Sequence, residues 1–259
     1  LDLESAMATV LEFGYENKIN LNYQNPTNAS VILKHNNPCG ASIADSAANA
    51  FRKALKCDPI SAFGGIVAFN KTVDLETAKL LSDIFLECVV APSFTKEALE
   101  ILSNKRNLRL LEVNKEVIIS NYKGSCKSIM GGLLIQDFDN KITDPREWEI
   151  VTEKKPSELQ LEDLKFAWQI CKHVKSNAIV VAKNQTTIGI GAGQMNRIGS
   201  ANIALDSANE NCKEAVLASD GFFPFSDTVS IASEYGIKAI IQPGGSVRDQ
   251  ESIEMCNDK

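Results

Sequence analysis

Residues 30–40 have the sequence SVILKHNNPCG, in which an apolar run leads into a polar turn. The apolar triplet at 31–33 predicts a short strand, and the Asn, Pro and Gly residues that follow predict a turn. This turn places Lys34 and His35 at the carboxyl end of the strand. Open α/β sheets bind ligands at the carboxyl ends of their strands. The stretch therefore predicts an α/β fold with a ligand site at this point.

Further apolar runs alternate with helix-like periods on both sides of this stretch. In the first half, strands are predicted at 65–69, 88–91, 108–111 and 117–120, and helices at 3–16, 44–57, 75–85 and 96–102. In the second half, strands are predicted at 178–182, 187–190, 215–218 and 238–241, and helices at 156–171, 200–208 and 227–235. Such alternation favours buried, largely parallel or mixed sheets covered by helices. Because the polar stretch 136–155 separates the halves, we predict two α/β units, residues 1–135 and 136–259.

Composition and charge narrow the class of protein. A length of 259 residues with 44% hydrophobic and 23% charged residues is typical of a soluble globular protein. The net charge is −6 and Lys and Arg are not clustered, so we expect no nucleic-acid partner. The absence of a run of about 18 apolar residues predicts no membrane partner. Seven cysteines occur without a CxxC pair, which favours free thiols and a cytoplasmic location. Because the chain begins at Leu1 rather than Met, we expect a fragment or a start further upstream.

The adjacent Lys34 and His35 are candidates for acid–base chemistry. A neighbouring cation favours the neutral imidazole, which is the form that accepts a proton. The alternative is a solvated lysine beside an ordinary turn histidine. Spacing alone gives these two interpretations about even odds.

A zinc-dependent nucleoside deaminase is a further hypothesis for this stretch. That class needs His-x-Glu followed by Pro-Cys-x-x-Cys. Asn37 stands at the position of the required glutamate, and Pro38-Cys39 is followed by no second cysteine at that spacing. We therefore predict no metal site, and stoichiometric zinc would revive the deaminase hypothesis.

Four later features each allow a functional and a structural interpretation. Glycine-rich residues 189–193 precede Arg197, which would anchor a ligand or lie at the surface after a tight turn. Residues 243–246 would receive an anion on backbone N–H groups or form an ordinary turn before a helix. Residues 220–225 contain three phenylalanines, which would stack on a heterocycle or fill the core. Asn177 would bind a ligand or cap the preceding helix.

Taken in order along the chain, these motifs resemble the transformylase part of the AICAR transformylase/IMP cyclohydrolase family. The matching stretches are residues 34–40, 58–65, 85–87, 91–94, 131–134, 172–177, 189–198, 220–225 and 242–249. They span nearly the whole chain. Each stretch is weak alone, and their shared order makes the resemblance specific.

The resemblance implies formyl transfer from 10-formyltetrahydrofolate to the 5-amino group of aminoimidazole carboxamide ribonucleotide, in de novo purine (IMP) synthesis. That amine is a poor nucleophile, because its lone pair is delocalised into the ring. Catalysis then needs positioning, removal of a proton and stabilisation of an oxyanion. By resemblance, His35 accepts the proton and Lys34 stabilises the transition state.

The resemblance also assigns binding residues and implies no catalytic metal. The ribonucleotide would contact Gly64, Glu87, Asn177, Arg197 and Phe222. The folate would contact Ile198, Asp227, Gly244 and Gly245.

The resemblance further implies a fold and an assembly. The family fold is a pair of cytidine-deaminase-like α/β units with mixed sheets, and its members are homodimers with sites at the subunit interface. The amino-terminal cyclohydrolase domain and the family's Leu-Arg-Tyr-Gly-x-Asn-Pro-His-Gln motif are absent from this sequence, as is the family's terminal Arg-His-Phe-Arg-His segment. Besides the formyltransferase, we therefore keep a second hypothesis, an inactive or partial ligand-binding and dimerising fragment of that enzyme.

Overall fold

The computed structural model describes residues 1–16, 27–114, 124–139 and 144–259. Its helices are α1 (Asp2–Leu11), α2 (Ala47–Leu55), α3 (Leu75–Ser82), α4 (Lys96–Leu102), α5 (Glu158–Cys171), α6 (Arg197–Ala208), α7 (Asp227–Glu234) and α8 (Asp249–Asp258). Its strands are β1 (Asn28–Lys34), β2 (Asn37–Ala44), β3 (Gly65–Phe69), β4 (Leu86–Ala91), β5 (Arg109–Glu112), β6 (Ser125–Ile129), β7 (Gly132–Gln136), β8 (Ile179–Ala182), β9 (Thr187–Gly191), β10 (Val216–Ser219) and β11 (Ala239–Ile241). The strand predicted at 117–120 lies outside the described residues.

Polar residues cap helices where the apolar periods begin. Ser46, Asp74, Thr95, Ser157 and Asn196 each accept a hydrogen bond from a backbone N–H in the first turn of the helix that follows. Such caps satisfy N–H groups that have no partner within the helix. The helix predicted to open at Pro156-Ser157 is confirmed, because Ser157 forms a reciprocal capping box with Gln160.

Two mixed sheets form the framework. The larger sheet has the order β2-β1-β3-β4-β5, with β1 antiparallel to its neighbours and β3, β4 and β5 parallel to one another. The smaller sheet has the order β11-β10-β8-β9, in which only β10 and β11 run parallel. Strands β6 and β7 form a separate antiparallel hairpin. The predicted α/β fold with mixed sheets is confirmed.

The two sheets and their helices follow one repeated plan. The order helix, two antiparallel strands, helix, strand, helix, parallel strand, helix runs from α1 to α4 and again from α5 to α8. The strand pairing repeats as well. Ile32 pairs with Gly40 in the first hairpin and Val181 pairs with Gly189 in the second, and a register shift follows each pair. A Cβ added at either glycine would overlap a helix carbonyl oxygen. The boundary at residue 135 and the likeness to cytidine deaminases stay predictions.

Alternating side chains of the strands build a central core and two outer cores. In β1, Val31 and Leu33 face the central core, whereas Ile32 faces an outer core with helices α2, α3 and α4. In β8, Val180 faces the central core, and Val181 faces the other outer core with α6 and α7. Helices α1 and α5 contribute to the central core, which contains side chains from both sheets.

One prediction about residues 30–40, the decisive stretch of the sequence, is wrong in its local detail. Lys34 and His35 lie at the carboxyl end of β1 as predicted, but residues 37–40, predicted as a turn, form the start of the second strand of a β-hairpin. Strand β1 ends at Lys34, and His35 and Asn36 form the turn with φ of 54° and 61°. Pro38 is accommodated because β2 is an edge strand of its sheet.

Across the described residues, the longest helix is α5 with 14 residues. None of the helices in this part of the chain combines the length and apolar character needed to cross a membrane.

The repeated glycine contact gives a test of the packing. Gly189→Ala would push a Cβ into the carbonyl of Ala204, so we expect a loss of about 1–3 kcal/mol in the free energy of unfolding. The control is Gly132→Ala, since no atom lies within 4 Å of the added Cβ and the backbone φ is unstrained. That control should be neutral or slightly stabilising. Urea unfolding measures both, and equal stability of the two variants would contradict this account of the helix–strand contact.

Candidate functional site

The Lys34–His35 turn is held from two sides. The Nζ atom of Lys34 donates a hydrogen bond to the carbonyl oxygen of Phe63 at 2.8 Å. The backbone N–H of His35 donates to Oδ2 of Asp2, in the first turn of α1, at 3.0 Å. The His35 side chain is exposed and Lys34 is half-buried. The turn thus presents an imidazole to solvent while the neighbouring ammonium reaches towards the loop before β3.

Gly64 lies directly beyond the lysine contact. Its φ of +74° is in the left-handed region, where an L side chain is strained. Its N–H donates to the carbonyl of Phe85 at 2.8 Å. The rings of Phe63 and Phe85 lie beside it with centroids 5.2 Å apart, and both rings are partly exposed. The structure therefore brings Lys34 and Gly64 together next to an aromatic pair.

Glu87 belongs to the same region and has a partner that the sequence did not indicate. It lies on β4 directly after Leu86, which pairs in register with Gly65. Its Oε2 atom is 2.7 Å from Nη1 of Arg109 on the neighbouring strand β5. Both side chains are exposed. Arg109 therefore orients the Glu87 carboxylate at the surface.

Arg197 is the anchor of a second group of predicted residues. It is the first residue of α6, and its side chain is only 10% exposed. The guanidinium donates to the carboxylate of Asp220 and, at 3.3 Å, to the carbonyl of Ala178. Its Nε atom is buried without a hydrogen-bond partner among the described residues. The interpretation of Arg197 as a surface residue after a tight turn is wrong.

Asn177 and Phe222 flank this arginine. Asn177 donates from Nδ2 to the carbonyl of Gln194 at 2.7 Å, so it does not cap the preceding helix. Its own carbonyl accepts from Oγ of Ser200 on α6 at 2.9 Å. Gly221, next to Phe222, lies against the Arg197 guanidinium, where a Cβ would collide with it. Asn177, Arg197 and Phe222 are thus brought together around the start of α6.

Asp220 carries the charge that balances Arg197. Burial raises the pKa of the Asp220 carboxyl, but hydrogen bonds from Ser176 and from the N–H of Ala178, together with the Arg197 guanidinium, outweigh that effect. The net result is a pKa below the usual value. Asp220 is therefore held as a carboxylate.

The phenylalanines of residues 220–225 divide between the two interpretations. Phe223 is 2% exposed and belongs to the core, whereas Phe222 and Phe225 are 47% and 52% exposed. The guanidinium carbon of Arg248 lies 5.0 Å from the centre of the Phe225 ring, a cation–π distance. This contact joins the loop before α7 to the loop before α8.

The predicted folate residues lie along these two loops and the start of α6. Ile198 follows Arg197 in α6 and is half-buried, and Asp227 opens α7 and is exposed. Gly244 and Gly245 have φ of 69° and 100°. Arg248 and Phe225 connect the glycine loop to the Asp227 loop.

Of the two interpretations of residues 243–246, the hydrogen bonds support the ordinary turn before a helix and not the loop that receives an external anion. The N–H of Gly244 donates to Oε1 of Gln242 at 2.7 Å. The N–H groups of Gly245 and Ser246 donate to Oδ2 of Asp249 at 2.7 and 3.1 Å. A carboxylate of the chain itself therefore occupies the place of the anion.

A polar contact links the region of Lys34 to that of Asn177. Oδ1 of Asn37 accepts a hydrogen bond from the backbone N–H of Lys175 at 2.9 Å. Asn37 begins β2, two residues after His35, and Lys175 lies two residues before Asn177. The two groups of site residues are therefore neighbours across the two sheets.

The second histidine has a structural environment. Nε2 of His173 and Nζ of Lys172 lie 2.9 and 2.8 Å from Oε1 of Glu12. Burial raises the pKa of Glu12, and His173 and Lys172 lower it to a net value below the usual one. These contacts tie the end of α1 to the end of α5. Among the described residues, no group of three or more His, Cys, Asp or Glu side chains is arranged to hold a metal ion.

All seven cysteines are free thiols, as predicted. Burial raises the pKa of Cys39, in the decisive stretch, to about 11, with a further contribution from Asp58. Burial likewise raises the pKa of Cys57 to about 12. Both thiols are thus poor nucleophiles, because the thiolate is the reactive form.

Comparison with known proteins identifies the family. The model of the AICARFT/IMPCHase bienzyme family matches residues 1–207. The chain belongs to this family. Its relatives include the bifunctional purine biosynthesis protein PurH of Prochlorococcus marinus strain AS9601, which is 66% identical over all 259 residues. The same protein from strains MIT 9515 and NATL2A is 64% and 56% identical over the whole chain.

The matches cover only part of each relative. The chain spans about half the length of the curated relatives it matches, 50% for strains AS9601 and MIT 9515 and 49% for NATL2A. Among solved structures, Acinetobacter baumannii RibD, form 1, aligns with 42% of this chain and 33% of its own, at 18% identity and a TM-score of 0.31. A likeness at that score carries no argument.

Three side chains of the site region were missed by sequence reasoning. Asp2, Arg109 and Asn37 contact His35, Glu87 and Lys175, respectively. Asp2 and Arg109 lie in a helix and a strand whose spacing carries no catalytic motif. Asn37 stood within the decisive stretch, but only the fold reveals its partner.

The Asp220–Arg197 pair yields a pH-dependent prediction. Asn70 is the counterpart of Asp220 in the repeated plan, since Oδ1 of each accepts a backbone N–H, from Ala29 and Ala178 respectively, at 2.8 Å. Asp220→Asn should therefore keep the backbone contact and lose the charge and one acceptor oxygen, at a cost of about 1–3 kcal/mol in the free energy of unfolding at pH 7, because the buried Arg197 loses its counter-charge. The pKa of Asp220 is lower in the folded protein than in the unfolded chain. The carboxylate therefore adds to the free energy of unfolding above its unfolded pKa of about 3.9, and this contribution is lost as the pH falls through the folded pKa.

Urea unfolding at pH 7 and about pH 3 measures this difference. The parent and Asp220→Asn should differ at pH 7 and converge at the lower pH. A constant difference at both pH values would contradict the charge-pairing account.

Proposed function

We propose that this chain transfers a formyl group from 10-formyltetrahydrofolate to the 5-amino group of aminoimidazole carboxamide ribonucleotide. Membership of the AICARFT/IMPCHase family supports the reaction class. The observation that carries the proposal is the exposed His35 on a hairpin turn whose adjacent Lys34 reaches the loop of Gly64. This arrangement offers a proton acceptor and a cation to one reacting centre.

His35 accepts the proton that the 5-amino group loses on attack, as a general base. Bound 10-formyltetrahydrofolate supplies the formyl group. Lys34 stabilises the negative charge that develops on the formyl oxygen, since an ammonium is worth more in a water-poor site than in bulk water. His35 then holds the proton for the departing folate nitrogen. The transfer needs no covalent bond to the protein.

The ribonucleotide is proposed to lie between the two groups of site residues. Arg197 supports this, because its Nε is a buried donor with no partner among the described residues. Glu87 offers carboxylate oxygens to hydroxyl groups, and the exposed Phe222 offers a stacking face. Gly64 allows close approach beside Lys34, and Asn177 sets the position of the start of α6.

The folate is proposed to lie along Ile198, Asp227, Gly244 and Gly245. The fit rests on the exposed carboxylate of Asp227 and on open space around Gly245, where no atom lies within 4 Å of an added Cβ. Since the glycine N–H groups are already bonded within the chain, we assign these glycines to close approach and not to anion binding.

A homodimer in the cytoplasm is the proposed working form. Supporting it, Met130, Leu133, Leu134 and Ile135 of the β6–β7 hairpin each expose more than half of their surface. An isolated two-stranded hairpin with such a surface is stabilised by a partner. Sedimentation equilibrium should give twice the mass of one chain, and a single-chain mass at micromolar concentration would contradict the dimer.

A second candidate is a partial protein that binds ligands and dimerises without turnover. The observation in its favour is that the chain spans about half the length of its relatives. Ligand binding without transfer, with transfer restored in a longer chain extended at both ends, would select this candidate.

The repeated plan supplies a matched test of Lys34. Lys183 on the second hairpin makes the corresponding contact, from Nζ to the carbonyl of Lys213 at 2.8 Å. Lys34→Met and Lys183→Met therefore lose equivalent hydrogen bonds. We expect Lys34→Met to lower turnover about 10²–10³-fold and Lys183→Met to leave it unchanged, with tetrahydrofolate appearance as the measurement. Equal effects of the two substitutions would assign Lys34 a structural role only.

His35 is tested in the same assay. Asn184 occupies the corresponding turn position with φ of 52°, so His35→Asn suits the backbone while removing the imidazole. Transfer should fall about 10²–10⁴-fold, both in this variant and in His35→Ala, with an unchanged fold. Near-normal turnover in His35→Asn would contradict the role of His35 as the proton acceptor.

A further inference from the structure

The side chain of Asn37 faces both groups of site residues. Its Oδ1 accepts from the N–H of Lys175 at 2.9 Å, and its Nδ2 donates to the carbonyl of His35 at 3.4 Å. We propose that Asn37 is a positioning residue that holds His35 in register with the segment of Lys175 and Asn177. This inference rests on the proposed function of His35.

The second hairpin shows which of these contacts the turn itself requires. There Oγ1 of Thr186, at the position of Asn37, donates to the carbonyl of Asn184 at 3.3 Å. This is the same bond that Asn37 makes to His35, two residues earlier in the chain. A threonine thus supplies the local bond as well as an asparagine does.

An acidic side chain supports the turn in both hairpins. Asp163 accepts from the N–H groups of Asn184 and Gln185 at 2.9 and 2.6 Å, as Asp2 accepts from His35. Each turn also contains two consecutive residues with positive φ. The turn therefore forms without a long side chain at position 37, and the reach to Lys175 is what Asn37 adds.

The far end of the contact is tied to the proposed ribonucleotide site. The carbonyl of Lys175 accepts from the N–H of Gly193 at 2.7 Å, and Asn177 donates from its N–H and Nδ2 to Gln194 at 3.2 and 2.7 Å. These bonds connect the segment to the loop that leads into α6 and Arg197. A shift at Lys175 would therefore move the ribonucleotide groups relative to His35.

Small shifts of this kind have large effects on rate. Catalytic groups act when the reacting atoms are held within a narrow range of distance, and a misplacement of about 1 Å costs roughly 10²-fold. The contact between Asn37 and Lys175 lies at the surface, so its effect on the rate comes from positioning and not from burial.

Two substitutions separate the two contacts of Asn37. Asn37→Thr keeps the local bond, as Thr186 does, and cannot reach Lys175. Asn37→Asp keeps an acceptor for the Lys175 N–H and loses the donor to His35. We expect the threonine variant to lower kcat about 10–100-fold. The kcat of the aspartate variant should stay within about threefold of the parent value. That comparison is made on the plateau of the pH profile, where the added negative charge no longer favours the protonated imidazole of His35.

A second measurement does not depend on activity. Hydrogen exchange at the Lys175 amide should accelerate at least tenfold in Asn37→Thr and stay near the parent rate in Asn37→Asp. The chain has two histidines, so imidazole NMR signals report His35 directly. The His35 signals should shift in the threonine variant, whereas those of His173, held by Glu12, should not.

The control is Asn28→Thr, at the far end of the same hairpin, where Nδ2 donates to the carbonyl of Asp45 at 2.8 Å. It should leave kcat, Lys175 exchange and the His35 signals unchanged. Parent-like turnover in Asn37→Thr, with or without faster exchange, overturns the positioning role. If the parent chain shows no transfer, the proposed function fails separately. Unchanged Lys175 exchange and unchanged His35 signals in Asn37→Thr would then still overturn the proposal that Asn37 couples His35 to Lys175.

Discussion

Hydrogen bonds between strand β2 and residues 185–187 join the two sheets, and the placement of the candidate site depends on them. Oγ1 of Thr187 lies 2.8 Å from the N–H of Ala41 and 3.2 Å from its carbonyl. Oγ of Ser42 lies 2.8 Å from Oγ1 of Thr186. Thr187, Ala41 and Ser42 are fully buried, so a slip of one residue would leave buried polar groups without partners. This junction therefore sets the register between the two halves, and with it the meeting of Asn37 and Lys175.

Around this junction one architectural plan carries two different surfaces. The corresponding positions share backbone conformation and local contacts but differ in side chains. His35 corresponds to Asn184, and Gly64 corresponds to Glu214, which has φ of 66° and donates its N–H to Gly236 as Gly64 does to Phe85. The first half thus offers an imidazole and a glycine where the second half offers an amide and a charged side chain. Repeated packing supports the scaffold, and the differences between the halves carry the proposed chemistry.

Much of the local structure follows from the sequence. The strand at 65–69, the helix at 227–235 and the capped start of α5 agree with the structure to within about two residues, because periodicity and capping depend on close neighbours. The turn after Lys34 was also expected. The second strand of that hairpin was not, because Pro38 and Gly40 suggested continued irregular backbone. The edge position of β2, a property of the whole sheet, accommodates both residues.

By itself the sequence determined the α/β class, the succession of elements, the free thiols and the motifs that indicate the family, since each depends on composition or short-range order. Only the tertiary structure decided that Arg197 is buried against Asp220, that Asp249 takes the N–H groups of Gly245 and Ser246, and that Asp2 supports the His35 turn. Asn37 and Lys175 stand 138 residues apart in the chain. No local pattern encodes such a contact, because it exists only when two separately built sheets are held in one register by their buried hydrogen bonds.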